Sequence, residues 1–314
     1  MSFSEISFPS IGLTLDPSRS FTIGGFEIHW YGVLIAAGLM MALLYGCGNC
    51  KRFGLKEDDI IDGVVCIVPF AVLCARLYYC AFEWDKYKDN LISILYIWEG
   101  GLAIYGGVIG AAIGIVVYAL IKKSKVRLTS VLDLTALGFL IGQSIGRWGN
   151  FINREAFGAA TQAFTRMGLR NSLTGAVEYY HPTFLYESVW NFAGFLLLHF
   201  LSKRRKYDGQ IALGYVAWYG LGRTFIEGLR LDSLYWGNVR VSQMLAAVTC
   251  FAAVVVLVIM MFKEHKPEKL FVNVVAAREA AAEAAELTVD EDLPLDEEPC
   301  DPWDEVNVAE ESED

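Results

Sequence analysis

Apolar residues in this chain come in long blocks, not in the two-residue or 3.6-residue alternation of half-buried elements. Residues 30–47, 101–121 and 241–262 run without charge for about 18 residues or more, the length a bilayer core requires. Four further runs, 60–81, 128–146, 182–201 and 210–226, hold isolated polar residues within an otherwise apolar stretch. The pattern predicts an all-α integral membrane protein with about seven transmembrane helices. Residues 151–180, with Asn153, Thr161, Thr165 and Thr174, are too polar for a span and too long for a turn, and predict a small extracytoplasmic cap.

Lysine and arginine set the expected orientation, because basic loops resist translocation. Lys51, Arg52 and Lys56 follow the first span, KKSKVR (122–127) the third, KRRK (203–206) the fifth, and Lys263, Lys266 and Lys269 the seventh. This alternation predicts an outside N-terminus and a cytoplasmic C-terminus. The first run follows an acidic, proline-containing segment in place of a basic one, so the first span is read as retained and not as a cleaved signal peptide.

The net charge of −10 misleads if spread over the whole chain. Residues 278–314 hold 16 acidic residues against Arg278 alone, so this tail carries −15 and the rest of the chain +5. The expected organisation is a membrane domain at 1–275, the cap at 151–180 within it, and an acidic, disordered cytoplasmic tail at 276–314. A solvated tail is favoured over a docking segment around Trp303. Cys47 and Cys50 have a CxxC spacing but lack a second pair or a nearby histidine, and are read as packing residues. Neither a nucleic-acid partner nor a metal or other cofactor is expected.

Projected onto this topology, unusual polar residues from distant segments gather on the outer side. They are His29, Trp30 and Tyr31 of the first span, Arg76 of the second, Tyr105 of the third, and Arg147 and Asn150 of the fourth. His181 and Glu187 at the fifth, and Arg223, Glu227 and Arg230 at the sixth, complete the set. An arginine at mid-bilayer costs roughly 2.5–3.5 kcal/mol on insertion scales, less near the interface. Arg76 is read as snorkelling to that interface. Arg147 and Arg223 lie in Gly-rich stretches with polar companions. Arg223, Glu227 and Arg230 are spaced to share one helix face, where ion pairing and substrate binding are equally good readings. Tyr105 reads first as an interfacial aromatic anchor.

Guanidinium forks bind phosphate oxygens in pairs, so this set suits a phosphate-bearing lipid headgroup. The CDP-alcohol phosphotransferase pattern fails, since Asp62-Gly63 continues as Val64-Val65. A polytopic transporter for an anionic or lipid substrate is the rival reading, with Asp62, Asp133 and His199 supplying polarity in the inner half.

Six segments closely resemble bacterial prolipoprotein diacylglyceryl transferases. They are FEIHWYGVLIAAG (26–38), ARLYY (75–79), GGLAIYGGVIG (100–110), GQSIGRWGNFINREAFG (142–158), HPTFLYES (181–188) and GRTFIEGLR (222–230). The resemblance implies transfer of the sn-1,2-diacylglyceryl group of phosphatidylglycerol to the lipobox cysteine thiol of a prolipoprotein, forming a thioether and releasing glycerol 1-phosphate. It implies a multi-pass protein of the bacterial cell membrane, with its active site toward the extracytoplasmic side. It also implies that Arg147 binds the lipid phosphate, that Asn150, Glu155 and Gly158 complete that site, and that Tyr31, Arg223 and Glu227 are required. Arg230 is a further expected lipid contact. Many family members have histidine where this chain has Tyr105, and that histidine has been considered as the base. A tyrosine of ordinary pKa, about 10, is a poor base at neutrality, so Tyr105 is expected to hold the lipid by hydrogen bonding. His181 is the alternative base, against a reading in which His181-Pro182 only caps the fifth helix.

Overall fold

The computed structural model describes residues 3–97, 100–122, 125–230, 235–236 and 239–291. Each expected apolar run forms a helix: α1 (Trp30–Asn49), α2 (Glu57–Phe82), α3 (Ile104–Ile121), α4 (Leu128–Asn153), α5 (Thr183–Ser202), α6 (Gln210–Glu227) and α7 (Val241–Met261). Six of these are long and apolar enough to cross a membrane; α6 is as long as α3 but carries Gln210, Arg223 and Glu227. Burial follows lipid as the solvent: only Ala246 and Ala253 of α7 are buried, while Leu245, Phe251 and Ile259 stand exposed.

Small residues hold the bundle together, as in membrane helices, where close backbone approach replaces the hydrophobic drive. On Gly106 and Gly110 of α3, an added Cβ would lie 2.4 Å from Tyr78 Cβ and 2.5 Å from Cys74 Cβ of α2. On Gly38 of α1 it would meet the Gly142 backbone of α4 at 3.3 Å. Helix α4 packs against α1, α5 and α6 and is the central post of the bundle.

The basic loops share one end. Arg52 after α1 donates to Ser202 Oγ, Arg205 after α5 donates to the Arg52 carbonyl, and Arg127 before α4 pairs with Asp208 at 2.9 Å and donates to the Lys269 carbonyl after α7. Asp133, read from sequence as scattered polarity, accepts from the Gly209 and Ala212 amides at the start of α6. His199 lies 2.7 Å from the Tyr45 hydroxyl, and Asp62 pairs with Lys122 at 3.0 Å. These three residues bind one segment to another and form no common path.

At the opposite end, strands β1 (Phe3–Phe8) and β2 (Leu13–Leu15) join β5 (Met167–Asn171) and β6 (Val177–Tyr180) in a four-stranded antiparallel sheet, ordered β2-β1-β5-β6. Phe3, Ile6, Met167, Leu169, Tyr180 and Phe184 form its core. A hairpin of β3 (Ser20–Ile23) and β4 (Phe26–His29) leads straight into α1, and β7 (Tyr235–Trp236) pairs with β8 (Val239–Arg240) before α7.

Three expectations are corrected. Helix α4 continues to Asn153, seven residues beyond the apolar run at 128–146, and takes in the first three residues of the expected cap at 151–180. Helix α3 starts at Ile104, because Gly100 and Gly101 take φ of 88° and 74°, open to glycine. Arg76 does not snorkel. It is 3% exposed and donates to the carbonyls of Ser93, Ile94, Tyr96, Gly100 and Gly101, and so organises the α2–α3 connection.

The chain divides into two units, Met1–Asn273 and Val274–Asp314. The helix α8 (Phe271–Glu291) runs into the second unit and includes the Ala/Glu-rich stretch 276–285. The first part of the tail expected to be disordered, 276–291, is therefore helical, while the rest of that tail, with Trp303, lies outside the described residues.

Candidate active site

Glu187, one turn into α5, is 4% exposed, and three arginines from three segments converge on it. Arg147 of α4 reaches Oε2 at 2.7 Å, Arg223 of α6 lies 3.3 Å from both oxygens, and Arg230, beyond the end of α6, lies 3.4 Å from Oε1. A carboxylate buried among cations is stable only because they compensate its lost hydration. Arg223 uses its other terminal nitrogen on Glu227 at 2.7 Å, one turn along the same helix. Arg230 does not share that face: α6 ends at Glu227, and the following turn carries Arg230 to Glu187 instead. Arg240, at the start of α7, donates to the Glu227 carbonyl at 2.7 Å, and Gln243 to the Thr224 carbonyl at 2.9 Å, bracing the end of α6.

The last turn of α4 extends the cluster. Arg147 Nη1 lies 3.4 Å from Asn150 Oδ1, and Glu155 Oε1 accepts from Asn150 at 3.0 Å and from Asn153 at 3.3 Å. Glu155 can fold back because Arg154 and Ala156 on either side take φ of 56° and 55°. The left-handed conformation costs a non-glycine residue about 1–2 kcal/mol. Arg154 is offset by its side chain, buried in bonds to the carbonyls of Ser4, Ile152 and Pro17 and to the Asp16 carboxylate at 2.5 Å. It is therefore buried in architecture and not solvated. Arg170 pairs with Glu5, and Arg166 lies over the Tyr179 ring.

Gly158 pairs with Arg230 in an isolated antiparallel bridge, and its amide donates to the His181 carbonyl at 2.9 Å. An added Cβ there would lie 2.8 Å from His181 Cβ and 2.9 Å from the Leu229 carbonyl, so only glycine fits. His181 does not cap α5: Pro182 is the N-cap residue, the helix starts at Thr183, and His181 Nδ1 faces the Tyr186 hydroxyl at 3.3 Å. That hydroxyl lies 2.5 Å from Thr165 Oγ1. Tyr31 packs its ring on Gly149, where an added Cβ would lie 2.5 Å from Cδ2, fixing α1 against α4 two residues from Arg147.

Tyr105 stands 70% exposed in the first turn of α3, and no described contact joins it to the arginines. Sequence reasoning placed Glu187 among the outer polar residues but missed its central role; the available signal was an acid one turn into the apolar helix after HPTF. Tyr186 and Thr165 carried no such signal. Among the described residues, no three His, Cys, Asp or Glu side chains gather as a metal site would need. The site is a cluster of guanidinium groups from α4, α6 and the turn after α6, paired with the buried carboxylates of Glu187 and Glu227.

Comparison with known proteins gives the family. The family described as prolipoprotein diacylglyceryl transferase matches residues 18–259. A protein of Enterococcus faecalis (strain ATCC 700802 / V583) named phosphatidylglycerol--prolipoprotein diacylglyceryl transferase is 41% identical over 82% of this chain and 94% of its own length. Proteins of the same name from Listeria monocytogenes serotype 4a (strain HCC23) and Limosilactobacillus reuteri (strain DSM 20016) are 40% and 42% identical, over 81% and 79% of this chain and 92% and 91% of theirs.

Proposed function

The chain belongs to the prolipoprotein diacylglyceryl transferase family, and from that premise we propose that its arginine cluster grips the phosphate of phosphatidylglycerol during transfer to a lipobox cysteine. The protein is a multi-pass membrane transferase that moves the diacylglyceryl group of phosphatidylglycerol to a prolipoprotein. The transporter reading finds no support. The single observation that carries the proposal is the meeting of Arg147, Arg223 and Arg230 at one carboxylate, Glu187.

In the reaction the cysteine thiolate attacks the glycerol carbon bearing the phosphoester. A carbon–sulfur bond forms, the carbon–oxygen bond breaks, and its electrons leave on glycerol 1-phosphate. Charge grows on the departing phosphate, and preorganised guanidinium groups stabilise that growth more than the ground state, which is the condition for acceleration. Glu187 and Glu227 keep Arg147 and Arg223 aimed before lipid arrives. Asn150 and Glu155 line the α4 side of the cluster, and Gly158 lets the chain pass close beside Arg230 and His181. The thiol has an ordinary pKa of about 8.5 and must lose a proton. Histidine is the side-chain type suited to that transfer, and His181 is the histidine beside this cluster. Tyr105 contacts lipid from the face of α3.

The orientation follows from the loops: all seven helices cross, the basic end is cytoplasmic, and the sheet and arginine cluster face outward, where the precursor arrives. The enzyme resides in the bacterial cell membrane. The test is incubation of purified protein with phosphatidylglycerol and a lipobox peptide, with mass spectrometry for a diacylglyceryl adduct on cysteine. Arg147→Lys keeps the charge but loses the planar fork, and turnover should fall by about 10–100-fold. Unchanged rate and lipid affinity in that variant would refute the clamp.

A further inference from the structure

We propose that Trp190 and Trp218 are positioning residues that lock α5 and α6 in the one register at which Glu187 meets Arg223. The inference rests on the transferase reading above and adds two residues to it. Each helix carries a tryptophan four residues before a glycine, Trp190 with Gly194 on α5 and Trp218 with Gly222 on α6. The two indoles stack with centroids 4.4 Å apart and planes 18° from parallel. Trp190 Nε1 donates to the Trp218 carbonyl at 3.0 Å, and Trp218 Nε1 donates to the Trp190 carbonyl at 2.9 Å. An added Cβ on Gly222 would lie 2.1 Å from Trp190 Nε1, and one on Gly194 would lie 2.3 Å from Trp218 Nε1. Each indole thus lies across the glycine of the opposite helix and bonds the carbonyl one turn before it.

Membrane tryptophans ordinarily sit at the interface with the N–H turned to water. Here both N–H groups turn inward, onto helix carbonyls. The arrangement is reciprocal, and reciprocity makes it selective. Sliding one helix by a residue shifts it about 1.5 Å and turns the contact face by about 100°. Both donors would then miss their carbonyls, and both rings would leave their glycines for side chains with a Cβ. The active pair sits within one helical turn of this clasp: Glu187 is three residues before Trp190, and Arg223 directly follows Gly222. The 3.3 Å spacing between Arg223 and the Glu187 carboxylate is therefore set by the clasp. In a preorganised site a misplacement of about 1 Å can cost about 100-fold in rate.

The test uses Trp190→Phe and Trp218→Phe, which keep an aromatic ring and remove one N–H each, in the full-length protein in detergent or nanodiscs. Adduct formation by the unaltered protein is measured first: failure there sinks the transferase reading, whereas the clasp is judged on the ratio of variant to unaltered rate. The expected result is a kcat lower by about 10-fold, a KM for phosphatidylglycerol within about 2-fold, and an unchanged melting profile. A folded variant with full kcat overturns the assignment, as does one whose only change is lower thermal stability. If one variant fails to fold, the other is read alone. If neither folds, the pair is a folding determinant and the positioning role is refuted.

Discussion

At the scale of single residues, the site is governed by one buried acid. Glu187 pairs with three arginines, so Glu187→Gln removes their shared anion; Arg223 keeps Glu227, while Arg147 loses its 2.7 Å ion pair. Breaking a buried pair by removing one partner costs about 3–5 kcal/mol. The variant should melt lower in detergent, and added phosphatidylglycerol should restore part of the loss, because the phosphate supplies the missing charge; an unchanged melt would remove Glu187 from the account. His181 is a different case, since its neighbours are the Tyr186 hydroxyl and the Gly158 backbone and not an arginine fork. His181→Gln should lower kcat by about 100-fold with little change in KM. Near-normal turnover from about pH 6 to 8 would exclude it as the base.

At the scale of elements, the sheet leads into the site, since β6 ends at Tyr180, directly before His181. Burial, reinforced by the bond its hydroxyl donates to Glu178, pushes the Tyr180 phenol up to about 12. An unfolded tyrosine titrates near 10, so the folded sheet holds this proton more tightly. The stabilisation is complete below about pH 10 and is lost as pH rises toward 12. Tyr180→Phe should flatten that alkaline fall in a detergent melt, and an identical pH profile in both proteins would contradict the assignment. The helices were legible because length and apolarity alone define a span. The extension of α4 was not legible. Residues 147–153 interleave Arg147, Asn150 and Asn153 with apolar residues and a glycine, and they remain helical because Glu187 neutralises Arg147, Tyr31 covers Gly149, and Arg154 caps the end in a left-handed turn. Strand β1 was equally hidden, because its partner β5 lies more than 150 residues away.

At the scale of the whole molecule, orientation is the quantity to measure. In intact cells, a cysteine replacing Thr174 should react with a membrane-impermeant maleimide, and one replacing Lys206 only after permeabilisation; the reverse pattern would invert the proposed topology. The sequence by itself determined that the chain has helices long and apolar enough to cross a membrane, and which of its loops carry the basic residues. Hydrophobic length and basic loops are local properties, readable without knowing any contact. It also contained the motifs that carry the family resemblance. Only the tertiary structure decided that Glu187 is the common partner of three arginines, that Arg76 and Arg154 serve architecture and not substrate, and that Tyr105 stands apart on an exposed face. Those assignments depend on which side chains meet across segments more than 20 residues apart. Close packing sets such meetings, through glycines that admit a ring and left-handed turns that aim a carboxylate, and no spacing along the chain encodes them alone.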